Sequence, residues 1–355
     1  SRPNGDGQTK VSTDVEKLEF TEGTFTLQRG HNGGDTLIAP DGQRTLLLGF
    51  NNGDTLTGGD ANDALIGGNG DDTLAGAGGN DIISGGAGDD IVNWSVGDGE
   101  DAIDGGTEGA LLTSGDTLVV NNVGGAQTDF TVSVATGPDV IAPVTDDILV
   151  SDSSETVRID EIEDIVFNLG SNGDSVTITG DYSTTALDTT TITVNGGAGN
   201  DEVDASAVTS DHRVVFNGGD GDDTFTSGAG SDVFDGGDGI DTYVATGAFS
   251  DYSIAVAVDG TVTITNTVSG AVDTAEANVE FLDIGGTVID MTLPVHVFDT
   301  SDSLVGTFAT LQLAHDDAGT SPGYRINLFG PITGQALTIT KDNLKIEGQS
   351  EDIGN

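Results

Sequence analysis

The stretch that decides the fold runs from Gly49 to Asn93 and falls into five nine-residue frames: GFNNGDTLT (49–57), GGDANDALI (58–66), GGNGDDTLA (67–75), GAGGNDIIS (76–84) and GGAGDDIVN (85–93). After Trp94 and Ser95 the frame resumes as VGDGEDAID (96–104). Every frame carries Asp at its sixth place and an apolar residue at its eighth. The aspartates are Asp54, Asp63, Asp72, Asp81, Asp90 and Asp101, and the apolar partners are Leu56, Leu65, Leu74, Ile83, Val92 and Ile103. A second block reads GGAGNDEVD (196–204) and, after an interruption, GGDGDDTFT (218–226), SGAGSDVFD (227–235) and GGDGIDTYV (236–244). It places Asp201, Asp223, Asp232 and Asp241 at sixth positions.

Glycines at the first, second and fourth places open backbone angles that a side chain forbids, so each turn can curl its carbonyl oxygens inward. A hard cation takes about six to eight oxygens, and carbonyls plus one carboxylate from each of two stacked turns supply them. The candidate metal ligands are therefore the aspartates together with Gly59, Gly68, Gly70, Gly86, Gly88, Gly197, Gly199, Gly219, Gly221, Gly237 and Gly239. Places seven to nine form a short strand with one residue facing in. Two frames make one coil of a flattened solenoid, so turns eighteen residues apart stack. Asp54 then meets Asp72 and Asp90 on one edge, and Asp63 meets Asp81 and Asp101 on the other. Asp201 and Asp223, twenty-two apart, fit one coil whose middle turn is replaced by the longer segment 205–217, with Asp241 stacked on Asp223. A solvated Gly/Asp linker would lack the apolar residue at the eighth place.

This pattern resembles the RTX family, the haemolysin-type calcium-binding repeats, over roughly residues 30–110 and 170–245. The resemblance implies a parallel β-roll with several calcium ions between stacked turns, and export by a type I secretion machine that reads an uncleaved C-terminal signal. It implies no activity, because such repeats accompany toxins, proteases, lipases, epimerases, adhesins and surface-layer proteins.

Composition agrees. Sixty acidic residues against ten basic ones give a formal charge of -50, and between Arg44 and Arg325 the only cations are Arg158 and Arg213. Such a chain repels itself and recruits counter-ions before it compacts. The same charge argues against nucleic acid or an anionic membrane as partner. There is no cysteine, so disulfides cannot stabilise an extracellular fold and metal is the natural substitute. No segment is long and apolar enough to span a bilayer, and the N-terminal residues lack the basic and apolar regions of a cleavable signal peptide.

Outside the repeats the sequence alternates with period two. Asp116-Thr-Leu-Val-Val, Asp129-Phe-Thr-Val-Ser-Val and Glu161-Ile-Glu-Asp-Ile-Val-Phe follow the first block; Asp241-Thr-Tyr-Val-Ala, Asp251-Tyr-Ser-Ile-Ala-Val and Asn278-Val-Glu-Phe-Leu-Asp-Ile follow the second. Three pieces in the same order mark a duplicated unit, a roll followed by an antiparallel segment that covers its open end. Asp14-Val-Glu-Lys-Leu-Glu-Phe repeats the last piece near the start. Further on, Phe308, Leu311, His315 and Ala318 recur at helical spacing, and strands are expected over 324–329, 336–340 and 344–346. This part resembles the first coil of a pectate-lyase-type parallel β-helix with its capping helix. The expected fold is all-β: the tail of a preceding β unit (1–29), β-roll 1 (30–119), a β capping segment (120–168), β-roll 2 (169–245), a second capping segment (246–290), and a β-helix-like region with a short helix (291–355).

Catalytic patterns are poor. Gly319-Thr-Ser321-Pro-Gly323 has the letters of a nucleophile elbow, but it lies between a helix and a strand, with no later histidine. His31, His212, His296 and His315 are scattered without a zinc motif. The pairs Asp71-Asp72, Asp89-Asp90 and Asp222-Asp223 put their first member at the fifth place, pointing to solvent. Trp94, at the slip, suits either contact with sugar or protein or packing of an irregular coil. The function expected is that of a secreted calcium-binding structural or adhesive protein of a surface layer, fibre or matrix, not an enzyme. It would self-associate through solenoid ends or contact cell-surface polysaccharide. The alternative is a non-catalytic module of a secreted polysaccharide-acting lyase or epimerase.

Overall fold

The computed structural model describes residues 16–20, 23–107, 115–122, 126–135, 147–187, 192–257, 259–293, 295–298, 304–308, 325–328 and 345–348. The chain divides into two units, Ser1–Leu118 with Glu155–Ile162, and Val119–Ser154 with Glu163–Asn355. Both are built of strands. Among the described residues the one helical piece is the 3-10 turn Phe249–Asp251, and no helix is long and apolar enough to cross a membrane.

In the first unit the strands Gly23–Arg29, Thr45–Asn51, Ala64–Asn69, Ile82–Ala87, Ala102–Thr107 and Thr156–Asp160 pair in that order, all parallel. Thr36–Ile38, Thr55–Thr57, Thr73–Ala75 and Ile91–Ser95 belong to a second sheet, and the first three pairings along it are parallel. The chain alternates between these sheets every nine residues because each short strand ends at a glycine turn. Register aligns eighth-place residues: Leu37, Leu56, Leu74 and Val92 on one sheet, and Leu65, Ile83, Ile103 and then Ile159 on the other. All are buried, whereas their strand neighbours face out. The core is one side chain thick per strand, as the period-two alternation of three-residue strands requires.

In the second unit one sheet runs Asp147–Ser151, Asp129–Ala135, Ser175–Gly180, Glu202–Val208, Thr224–Thr226, Thr242–Ala245, Phe281–Ile284, Thr287–Asp290, antiparallel at its two outermost pairings and parallel between. The other runs Asp164–Gly170, Ile192–Ala198, Val214–Asp220, Val233–Asp238 in parallel, then Val272–Ala275 with the antiparallel strands Val262–Asn266 and Tyr252–Val256. Here the eighth places of the last three frames are aromatic, Phe225, Phe234 and Tyr243, and Phe216 of the preceding segment is in register with Phe234. Phe216 stacks on Phe234 at 5.3 Å, with Phe225 and Tyr243 tilted beside them. The strand Glu202–Val208 stacks on Thr224–Thr226 across the interruption, so the twenty-two-residue spacing is one coil with a longer middle.

In the C-terminal part Val295–Phe298 pairs antiparallel with Leu304–Phe308 and with Arg325–Leu328, and the latter pairs in parallel with Lys345–Gly348. Phe308, expected on a helix, ends a strand: the alternating run Leu304–Phe308 finds a ladder partner, which local helical spacing cannot anticipate. The remaining helix positions Leu311, His315 and Ala318, the motif 319–323 and the strand 336–340 lie outside the described residues.

Candidate metal centres

Most turns place glycine where the backbone turns left-handed, and Phe50, Asn52 and Ala77 take the same geometry at the second, fourth and second places of their frames. Gly68, Gly70, Gly86 and Gly88 in the first unit, and Gly197, Gly199, Gly219, Gly221, Gly237 and Gly239 in the second, have φ between 98° and 154°. A Cβ on Gly86 would lie 2.2 Å from the carbonyl oxygen of Gly68, one coil below. Where these places are glycine, two reasons favour it, the left-handed backbone and the close stacking of coils. Gly59, expected in the same role, is not in the left-handed region.

The stacked turns are stitched by aspartate. The N–H of Asp54 donates to Oδ1 of Asp72 at 2.6 Å, that of Asp72 to Asp90 at 2.7 Å, and on the other edge those of Asp63 and Asp81 donate to Asp81 and Asp101 at 2.6 and 2.8 Å. In the second unit Asp201 donates to Asp223 at 2.7 Å and Asp223 to Asp241 at 2.9 Å. The ladders extend past the nine-residue frames. Asp35 donates to Asp54, Asp90 to Asp116, Asp174 to Asp201, Asp232 to Asp273 and Asp241 to Glu280. Asp35, Asp116 and Asp174 share one sequence signal with the repeats, a Gly-Asp followed two places later by Leu37, Leu118 or Val176.

One oxygen of each carboxylate is thus spent on an amide of the preceding coil; the other decides what the turn can bind. Oδ2 of Asp54, Asp72, Asp81, Asp201, Asp223 and Asp241 is buried and has no hydrogen-bond partner. The point where a Cβ of Gly67 would sit lies 2.2 Å from Oδ2 of Asp72 and 2.6 Å from the carbonyl oxygen of Gly85. The equivalent points at Gly49, Gly85, Gly196 and Gly218 lie between the turn's own aspartate (Asp54, Asp90, Asp201, Asp223) and the next coil's carbonyl (Gly67, Gly105, Gly218, Gly236), all at 2.2 to 2.5 Å. The first-place glycines supply these carbonyls, one place before the second-place glycines that the sequence pattern points to. A carboxylate oxygen and a carbonyl oxygen brought to the same point of the turn supply part of an all-oxygen cradle for a hard cation. Among the described residues no three acidic or imidazole side chains converge, so every such cradle depends on backbone carbonyls.

Asp63 and Asp232 differ. Their Oδ2 atoms accept the N–H groups of Gly59 and Gly228 at 2.7 and 2.9 Å, and their Oδ1 atoms accept those of Thr45 and Val214. Each opens its edge, and the second-place residue, free of the left-handed geometry, turns its N–H back onto its own aspartate. Both oxygens are satisfied without a cation.

Burial holds these carboxyls above their ordinary range, with neighbouring carboxylates adding to the shift. Asp72, Asp223 and Asp241 rise to about 6, Asp81 to about 7 and Asp101 to about 8. The fifth-place Asp71 and Asp222 lie at the outer turn, where their Oδ1 atoms accept the N–H groups of Asp89 and Ile240. Trp94 is 1% exposed and its Nε1 donates to the carbonyl of Gly99 at 3.2 Å, so it packs the slipped coil. His212 is buried with Nδ1 3.0 Å from Ser210 Oγ and Nε2 2.9 Å from the carbonyl of Leu187, pinning the long middle of its coil.

A family model of the RTX calcium-binding nonapeptide repeat matches in four copies, over residues 48–83, 66–93, 193–207 and 215–243. A comparison with curated proteins finds no match. The matched stretches are those whose turns stack into the aspartate ladders, and the chain carries RTX calcium-binding nonapeptide repeats folded as β-rolls.

Proposed function

We propose that this is a secreted calcium-binding protein with a structural or adhesive role at a cell surface or in an extracellular matrix, whose rolls fold when they bind calcium. The observation that carries the reading is the row of buried Oδ2 atoms of Asp54, Asp72, Asp81, Asp201, Asp223 and Asp241 without a hydrogen-bond donor. With Asp90 and Asp101 in the same ladders and the carbonyls of Gly67, Gly85, Gly105, Gly218 and Gly236 opposite, these side chains would hold the cations. Bound calcium would neutralise the facing carboxylates and bridge consecutive coils. The glycines of the second and fourth places shape the turn and do not themselves need to be ligands. Asp63 and Asp232 brace the first turn of their edges.

The chemistry supports extracellular placement. Modules of this kind bind calcium in the range of about 0.1 to 1 mM, a range met outside cells. The chain would leave the cell unfolded through a type I exporter and become rigid outside. With a net charge of -50 and no cysteine, cation binding takes over the stabilising part that disulfides have in other extracellular proteins. Exposed strand edges such as Thr287–Asp290, where Val288 is 61% exposed, suit self-association or contact with a surface polymer. The test is equilibrium dialysis against radioactive calcium. Several ions bound per chain at millimolar calcium, with fewer bound by Asp72→Ala and Asp223→Ala, supports the reading; no saturable uptake up to about 10 mM, beyond the range of extracellular sites, overturns it.

A further inference from the structure

We propose that Asn122 and Asp174 form a divalent-cation site outside the nonapeptide repeats, tying the segment that leads into the strand Asp129–Ala135 to the turn that leads into Ser175–Gly180. Asp174 is 2% exposed. Its Oδ1 accepts the N–H of Thr128 at 2.6 Å and Nδ2 of Asn122 at 3.2 Å, and its Oδ2 is buried without a partner. Asn122 is 7% exposed. Its Nδ2 also donates to the carbonyl of Ala126 at 3.0 Å, and its Oδ1 is buried without a partner as well. Two side chains in direct contact thus each bury an oxygen that no donor reaches. Burying acceptors in this way is costly unless something positive completes the site. The charged side chain nearest in effect, Asp129, makes the site more negative.

The turn at 169–174 cannot use the arrangement of the repeats. It reads LGSNGD, with Leu169 where the repeats have their first-place glycine and Asn172 where they have their fourth-place one. In the repeats the free Oδ2 lies within bonding distance of the position a first-place Cβ would take; here Leu169, buried at 1%, has that Cβ. Asn122 contacts Asp174 directly and is held by its own N–H donating to the carbonyl of Asn168 at 2.9 Å. A carboxylate, a neutral amide oxygen and water make an irregular all-oxygen set. Such a set suits calcium, which tolerates irregular coordination, over magnesium, which demands an octahedron, and offers nothing to metals that need thiolate or imidazole. Because the N–H of Asp174 donates to Oδ1 of Asp201, this site joins the entering strand Asp129–Ala135 to the ladder of the second unit.

Hydrogen exchange on the full chain during a calcium titration tests the proposal. Asn122→Ala removes one ligand without touching any repeat, and Asn122→Asp adds a charge at the same place. Peptides over 126–135 are expected to become protected with a calcium midpoint that Asn122→Ala raises at least tenfold and Asn122→Asp lowers. Peptides over 193–243 are expected to keep their own midpoint in both variants. If the 126–135 midpoint is unchanged in both variants, or if it tracks the 193–243 peptides in every case, the site does not exist. If Asn122→Ala fails to fold, Asn122→Asp alone decides. A silent response at 193–243 would sink the roll reading instead, and the two failures are therefore separable.

Discussion

Replacing Asp72 by Asn separates charge from shape in the aspartate ladder. The Asn Oδ1 can still accept the N–H of Asp54, now at 2.6 Å, while Nδ2 replaces the partnerless Oδ2 and faces the carbonyl of Gly85 as a donor. Without calcium the wild-type turn holds a carboxylate whose pKa burial raises from 3.8 to about 6. At 1.36 kcal/mol per unit, ionising it in the folded state above pH 6 costs up to about 3 kcal/mol. Water and counter-ions near the turn screen part of this, leaving about 1–2 kcal/mol. Asp72→Asn should therefore stabilise the calcium-free first unit at pH 7.5 by about that amount, raising its melting temperature by about 3–8 °C. With calcium the sign reverses, because the same substitution removes a ligand. The calcium midpoint should rise at least tenfold, about 1.4 kcal/mol. Paired thermal melts, with EGTA and with 5–10 mM calcium (roughly ten times the upper site Kd of about 1 mM), read both effects on one sample. If Asp72→Asn lowers stability equally in both conditions, the ladder is an ordinary hydrogen-bonded stack and the cradle reading is wrong.

Three further outcomes follow from the same geometry. Calcium-free rolls should lose stability as pH rises, since the folded pKa values lie above the unfolded ones: the contribution is full below about 3.8 and lost through about 6 for Asp72, Asp223 and Asp241 and about 8 for Asp101, so EGTA melts at pH 5 should exceed those at pH 8, and the opposite order would refute the assignment. Asp223→Asn should shift the calcium titration of the second unit, whereas Asp232→Asn should leave its midpoint in place, because both oxygens of Asp232 already accept amides; equal shifts measured by calorimetry would contradict this. Gly86→Ala, at φ 123° with its Cβ 2.2 Å from the Gly68 carbonyl, should cost about 3 kcal/mol or more even in saturating calcium, while Gly33→Ala, with nothing within 4 Å, should change the denaturation midpoint little.

The nine-residue rhythm was enough to read the coil, its two edges and the inward residue of each strand, because backbone turn and side-chain direction repeat together. Stacking of Asp54 on Asp72, or of Asp201 on Asp223 across twenty-two residues, needed only counting. The rungs at Asp35, Asp116 and Asp174 were less visible. Their turns break the glycine pattern, with His31 at one second place and Leu169 at one first place, although the Gly-Asp-x-apolar signal survives. Asp273, on the strand Val272–Ala275, and Glu280, just before the strand Phe281–Ile284, close the ladders, and no local pattern reports which distant segment will lie beside a turn. Nor could letters show which oxygens are satisfied. Asp63 and Asp81 read alike, yet a different φ at the second place gives one an amide from its own turn and leaves the other open.

Far-ultraviolet circular dichroism of the full chain, first in EGTA and then through a calcium titration with magnesium as control, tests the central claim most directly. The account predicts a largely unfolded spectrum at pH 7.5 in EGTA at 37 °C, above the melting transition of the calcium-free rolls, and a cooperative gain of β signal on adding calcium in the range of about 0.1 to 1 mM, which magnesium does not reproduce. A β spectrum that is the same in EGTA, in calcium and in magnesium would contradict it.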